Sequence, residues 1–209
     1  MGNRAVITTR DNFRSNGVGV YLHWNGGRDS IEAFLKYMKL RRFRTPDSDS
    51  YGWARLCQVI GNYFGGTLSI GVDRVDYLDM DNWDNGTYII EIEGWDIVGR
   101  EFFDGEEQNY HDMDEMLIAI DESQPLKDQL GKDFLSAKEV ETSQIKLGDK
   151  VYVMDYTDKY ELCEVCGFGD GFVNGTDVTG VPYINRYGED YAENINNYLL
   201  EDSYRIGGD

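Results

Sequence analysis

The order of local patterns constrains this chain most. Two β-rich segments come first, then two amphipathic helical ones, then more β-rich segments and a third helix. RAVITT (4–9) and VGVYLHW (18–24) are rich in β-branched and aromatic residues, and Asn16-Gly17 supplies a turn between them. Residues 29–44 carry Ile31, Phe34, Leu35 and Met38 at helical spacing. Asp29 is the expected N-cap, with Glu32 three residues on to complete a capping box. Residues 51–66 place Trp53, Leu56, Cys57, Ile60 and Phe64 on one side, and Gly65-Gly66 closes the helix. LSIGVD (68–73) is a short strand. GTYIIEIEG (86–94) and WDIVGREFF (95–103) form a hairpin. HDMDEMLIAIDE (111–122) is a helix with Met113, Met116, Leu117 and Ile120 on its apolar face. This order predicts an α+β domain over 1–122, an antiparallel sheet packed with helices.

From residue 123 the pattern weakens into a polar helical connector, 123–144. From Ile145 it changes to short strands broken by Gly and Asp: IKLGDKVYVMDY, KYELCEVCGF and GFVNGTDV. Residues 145–209 therefore read as a small β-rich domain, with LGDKVYV the opening of an SH3-like barrel. The stretch 187–206 has room for one short helix and a final strand.

Charge says little about fold but much about partners. The formal net charge is −19. Residues 1–60 carry ten Lys/Arg and five Asp/Glu, whereas residues 61–125 carry two and seventeen. Asp73, Asp76, Asp79, Asp81, Asp84, Glu91 and Glu93 follow one another in that acidic band, broken only by Arg74. DNA presents one charge per ~1.7 Å of axis, and carboxylates held on strands and loops approximate such a density. The band is thus a candidate surface for a phosphate-binding partner, with a plain solvated face as the other reading. Lys39, Arg41, Arg42, Phe43 and Arg44 form the converse: four cations around an aromatic that can stack on a base, an RNA-binding candidate at a helix end. Cations at a helix C-terminus also suit the helix dipole.

Chemistry-bearing motifs are sparse. His23 lies at a strand end, with Asp29 and Glu32 nearby as an alternative acid–base set. No nucleophile pattern accompanies them. DMDNWDNG (79–86) fails the EF-hand pattern in both registers: Trp83 falls on a ligand position from either start. Cys163 and Cys166 form one CxxC without a second, so packing is preferred to metal, and no metal or cofactor is expected. Three cysteines, an odd number, suit free thiols in a reducing compartment. No run of residues is long and apolar enough for a membrane span. A cytoplasmic protein is expected.

Tyr21-Leu22-His23-Trp24-Asn25-Gly26, set between a RAVITT-like strand and an amphipathic helix, resembles accessory proteins of bacterial phages and mobile elements. These carry a His-Trp-(Asp/Asn)-Gly motif. The resemblance covers about residues 1–100. It implies an accessory role in a bacterial host, of the kind filled by inhibitors of restriction and CRISPR systems, and a Cas9-type effector, with its guide RNA, as partner. The expected function is that of an acidic anti-CRISPR protein occupying or perturbing a nucleic-acid-binding surface. The alternatives are an enzyme acting on RNA or a nucleotide through His23 and carboxylates, and a structural accessory protein.

Overall fold

In the computed structural model, residues 2–46, 50–66, 69–139, 144, 146, 148–154, 160–169, 172–177 and 204–205 are described. They fall into two units, 1–129 and 130–209.

The first unit runs β1 (Ala5–Thr9), α1 (Arg10–Ser15), β2 (Val18–Leu22), α2 (Arg28–Leu40), α3 (Ser50–Tyr63), β3 (Ile70–Arg74), β4 (Thr87–Ile90), β5 (Ile97–Glu101) and α4 (Met113–Glu122). Its sheet has the order β3-β2-β1-β4-β5. The sheet is mixed, which corrects the expected antiparallel one. β1 pairs β2 antiparallel, but it pairs β4 in parallel, with Val6 opposite Thr87 and Thr9 opposite Ile90. The cause is the return path. After β3 the chain runs through 75–86 to the N-terminal end of β1, so β4 starts beside Val6 and must run the same way.

Asn16-Gly17 makes the turn into β2, but a six-residue helix not expected from the sequence, α1, comes before it, capped by the Thr9 hydroxyl, which accepts from the Asn12 N–H at 3.3 Å. Asn16, at φ 54°, closes it in the left-handed region that Asn tolerates better than most residues.

Alternation along the strands sorts the sheet into two faces. Ala5, Ile7, Leu22, Ile70 and Tyr88 share one face by register. Ile70 there meets Gly61 of α3, and the Tyr88 hydroxyl donates to the Gly26 carbonyl just before α2 at 3.0 Å. On the other face lie Val6, Gly19 and Thr87. Val75 and Leu78 crowd over Gly19, and the Thr87 hydroxyl donates to the Met80 carbonyl at 3.2 Å. Segment 75–86 thus covers the sheet opposite α3. With both faces covered, Ala5, Val6 and Ile7 of central β1 have no exposed surface.

The predicted stripe of α2 is buried in full: Ile31, Phe34, Leu35 and Met38, joined by Ala33 and Tyr37. Each large apolar side chain so buried contributes about 1.5–3 kcal/mol. Tyr37 also donates its hydroxyl proton to Asp121 Oδ1 at 2.8 Å, both groups buried, which ties α2 to α4. α4 starts at Asp112, whose carboxylate accepts from the Asp114 and Glu115 N–H groups.

The second unit holds α5 (Lys132–Leu135), β6 (Lys138–Glu139), β7 (Lys150–Met154), β8 (Tyr160–Gly169), β9 (Phe172–Asp177) and β10 (Tyr204–Arg205). The sheet order is β6-β10-β7-β8-β9, and its neighbours pair antiparallel. Phe134 of α5 stacks on Tyr160 at 4.0 Å and meets Tyr152 edge-on at 5.3 Å. The helix expected within 187–206 lies outside the described residues, of which only β10 falls in that stretch. No helix among the described residues is long and apolar enough to cross a membrane.

Candidate functional site

His23 follows β2, exposed, where its Nδ1 lies 3.1 Å from the Tyr21 hydroxyl. Its ring meets the half-exposed Trp24 edge-on at 4.9 Å. The two glycines that follow are required by close packing. A Cβ on Gly26 would stand 2.6 Å from the Arg4 carbonyl carbon, and one on Gly27 2.6 Å from the Gln108 carbonyl oxygen.

Asp29 is not the N-cap of α2. Gly27 takes that position, and Asp29 sits in the first turn. Its Oδ2 accepts from the N–H groups of Tyr110 (2.5 Å) and His111 (2.7 Å), while Oδ1 accepts from the Ser30 N–H at 2.7 Å. Glu32 forms no capping box either. It pairs one turn back with Arg28 at 2.6 Å, which holds the Arg28 guanidinium more firmly protonated. The capping pattern failed because Asp29 finds better donors in a loop 81 and 82 residues further along, information that local spacing lacks. Asn25, at φ 54°, adds a contact to His111 Nε2 at 3.2 Å. His23, Asp29 and Glu32 therefore make separate contacts. Asp29 clamps segment 110–111 to the start of α2.

The acidic residues are dispersed around the sheet. Asp73 and Asp76 lie at the C-terminal end of edge strand β3, where Asp76 pairs with Arg74 at 2.7 Å. Asp79 and Asp84 converge on Arg4 beside the N-terminal end of β1, at 3.4 and 2.7 Å. The Asp84 hydrogen bond is the main cause of a raised Arg4 pKa. Glu91 and Glu93 lie in the β4–β5 connection. Among the described residues, Asp73, Asp81, Glu91 and Glu93 are exposed and pair with no cation.

Loop 79–86 is built around buried Asn82. Its Nδ2 donates to the carbonyls of Asp79 (3.1 Å) and Gly86 (3.0 Å), and its Oδ1 accepts from the N–H groups of Asp84, Asn85 and Gly86. Beside it, Trp83 is 88 % exposed at φ 60°. Sequence reasoning passed over both residues, treating Trp83 only as a fault in a calcium pattern. The available signal was a tryptophan among carboxylates, where no core can take it. Among the described residues, no group of three His, Cys, Asp or Glu side chains is placed to hold a metal ion.

The basic segment is brought together, with an addition. Arg41 lies over the Phe43 ring at 5.4 Å, and Arg55 of α3 lies over the same ring at 5.7 Å. Arg44 lies over Tyr51 at 5.4 Å. Arg42 sits at φ 49°, so the backbone turns sharply out of α2. Lys39 leaves the cluster for Asp96, at 2.5 Å. Arg55 was missed because it stands eleven residues beyond Arg44, on the next helix. Cys163 and Cys166 share strand β8, with Cys166 at the register shift between Val165 and Gly167.

Comparison with protein-family models, curated proteins and solved structures finds no match for this chain.

Proposed function

We propose that this chain is an acidic anti-defence protein that inhibits a nucleic-acid-guided nuclease of the Cas9 type. It acts in the bacterial cytoplasm by occupying or perturbing the surface that binds nucleic acid. The observation that carries this reading is the outward display of negative charge on a packed framework. Asp73, Asp81, Glu91 and Glu93 project from strand ends and loops, exposed and without a cation among the described residues. Guide RNA and target DNA lie in positively charged channels of such effectors, which attract a surface of this sign. The alternative acid–base reading is disfavoured by the use of Asp29, whose oxygens already accept three backbone N–H groups. The cluster of Arg41, Phe43, Arg44 and Arg55 offers a second contact, to the guide RNA. We read the C-terminal sheet as part of a small SH3-like barrel.

The test is binding of the full chain to a guide-loaded Cas9-type effector. Changing Asp73 and Asp81 to Asn and Glu91 and Glu93 to Gln together is expected to weaken binding about 30-fold, at roughly 0.5 kcal/mol per exposed charge. The wild-type affinity is expected to fall with added salt, since exposed charges are screened beyond about 8 Å at physiological ionic strength. Unchanged affinity in the fourfold variant would remove the reading.

A further inference from the structure

Trp83 is expensive where it stands. Its indole is 88 % exposed, the most exposed of the large apolar side chains described. Its φ of 60° lies in the left-handed region, which costs a bulky residue free energy and suits Gly or Asn. Both neighbours are fixed: Asn82 is buried in its hydrogen-bonded ring, and the Asp84 carboxylate is held by the Arg4 guanidinium and the Arg4 N–H. The tryptophan therefore projects from a pinned backbone, so on meeting a partner only its two side-chain torsions remain to be ordered. Tyr77, 70 % exposed, lies earlier on the same segment with the Arg74 guanidinium over its ring.

We propose that Trp83 is the anchor of the partner interface and stands in for a nucleobase. This rests on the reading of the chain as an inhibitor directed at a nucleic-acid-binding surface. In a single-strand groove, cationic side chains track the phosphates and planar groups stack on the bases. Loop 79–84 offers matching chemistry: an aromatic plane held out from the chain, two residues from the exposed carboxylate of Asp81. An arginine that would stack on an unpaired base stacks equally on an indole, the best ring for a cation. The occupant is thus an arginine-lined groove of the effector that takes a splayed base, not an uncharged apolar pocket. Large aromatic residues in such positions dominate interface energetics.

The experiment measures affinity for a guide-loaded Cas9-type effector with wild type, Trp83→Gly and Trp83→Tyr, alongside thermal melts and competition by a single-stranded DNA oligonucleotide. Trp83→Gly relieves the backbone conformation, so its melting temperature is expected to equal or exceed that of wild type. Its affinity is expected to fall at least about 30-fold, the loss typical of an interface anchor. Trp83→Tyr keeps a plane for stacking and should recover most of the affinity. The oligonucleotide should compete with wild type. Wild-type affinity in Trp83→Gly would overturn the base-mimic proposal and leave the charge-based reading standing, whereas no competition by the oligonucleotide would overturn both. A wild type that binds no effector would overturn both. Should Trp83→Gly melt lower than wild type, the tyrosine variant decides: weak binding by a stably folded Trp83→Tyr also counts against the proposal.

Discussion

Asn82 does more for the acidic loop than any acid in it. Its side chain satisfies backbone groups from Asp79 to Gly86, and its bonds to Asn85 and Gly86 are buried. An unsatisfied buried donor or acceptor costs about 1–3 kcal/mol. Asn82→Ala strands several at once, so a stability loss of about 2–4 kcal/mol is expected. Urea unfolding with an unchanged m-value would measure it, and a loss below 1 kcal/mol would show that the loop holds itself. The sequence displays an Asn between Asp81 and Trp83 and nothing to set it apart from Asn85. Both are buried, and their hydrogen bonds separate their roles: Asn85 donates to Asn3 and Arg4, while Asn82 organises its own loop.

At the scale of elements, helices were easier to read than their ends. The apolar spacing of α2 survives into the structure in full and that of α3 and α4 in its centre. Val59 of α3 is buried while Cys57 and Phe64 are half-buried, as is Met113 of α4; the β4–β5 hairpin survives as well. The start of α2 was misread because the Asp29 carboxylate is used across the fold. That contact predicts a local effect. Asp29→Ala should free the Tyr110 and His111 N–H groups and detach segment 106–111 from α2. Hydrogen bonds to a charged acceptor are worth about 1.5–3 kcal/mol, so a loss of about 2–4 kcal/mol is expected. Amide exchange at Tyr110 and His111 should quicken far more than at core α2 residues such as Phe34. Exchange that rises uniformly would mean global destabilisation without a clamp.

For the whole molecule, the buried hydroxyls of Tyr37 and Tyr88 and the half-buried Cys57 thiol predict alkaline sensitivity. Burial raises the pKa of Tyr37 and Tyr88 and pushes the Cys57 thiol up to about 11 from 9.0. The folded state then keeps protons that the unfolded chain releases, so this stability is intact below pH 9 and is lost as pH rises through 9–11 and beyond. Thermal melts from pH 7 to 11 should show it. Tyr37→Phe should melt lower at pH 7, because Asp121 loses a donor, yet fall less between pH 9 and 11 than wild type. Parallel curves would dismiss Tyr37 as a contributor. The helices α2, α3 and α4, the strands of the first sheet, and where negative charge concentrates along the chain were legible from sequence alone, because apolar spacing and charge are properties of neighbouring residues; α1, which buries no residue, carried no such spacing. The parallel pairing of β1 with β4, the covering of one sheet face by 75–86, the meeting of Arg55 with Phe43 and the outward pose of Trp83 came only with the tertiary structure. Each depends on residues far apart in the chain competing for the same buried donors, acceptors and surfaces, and local pattern carries no record of that competition.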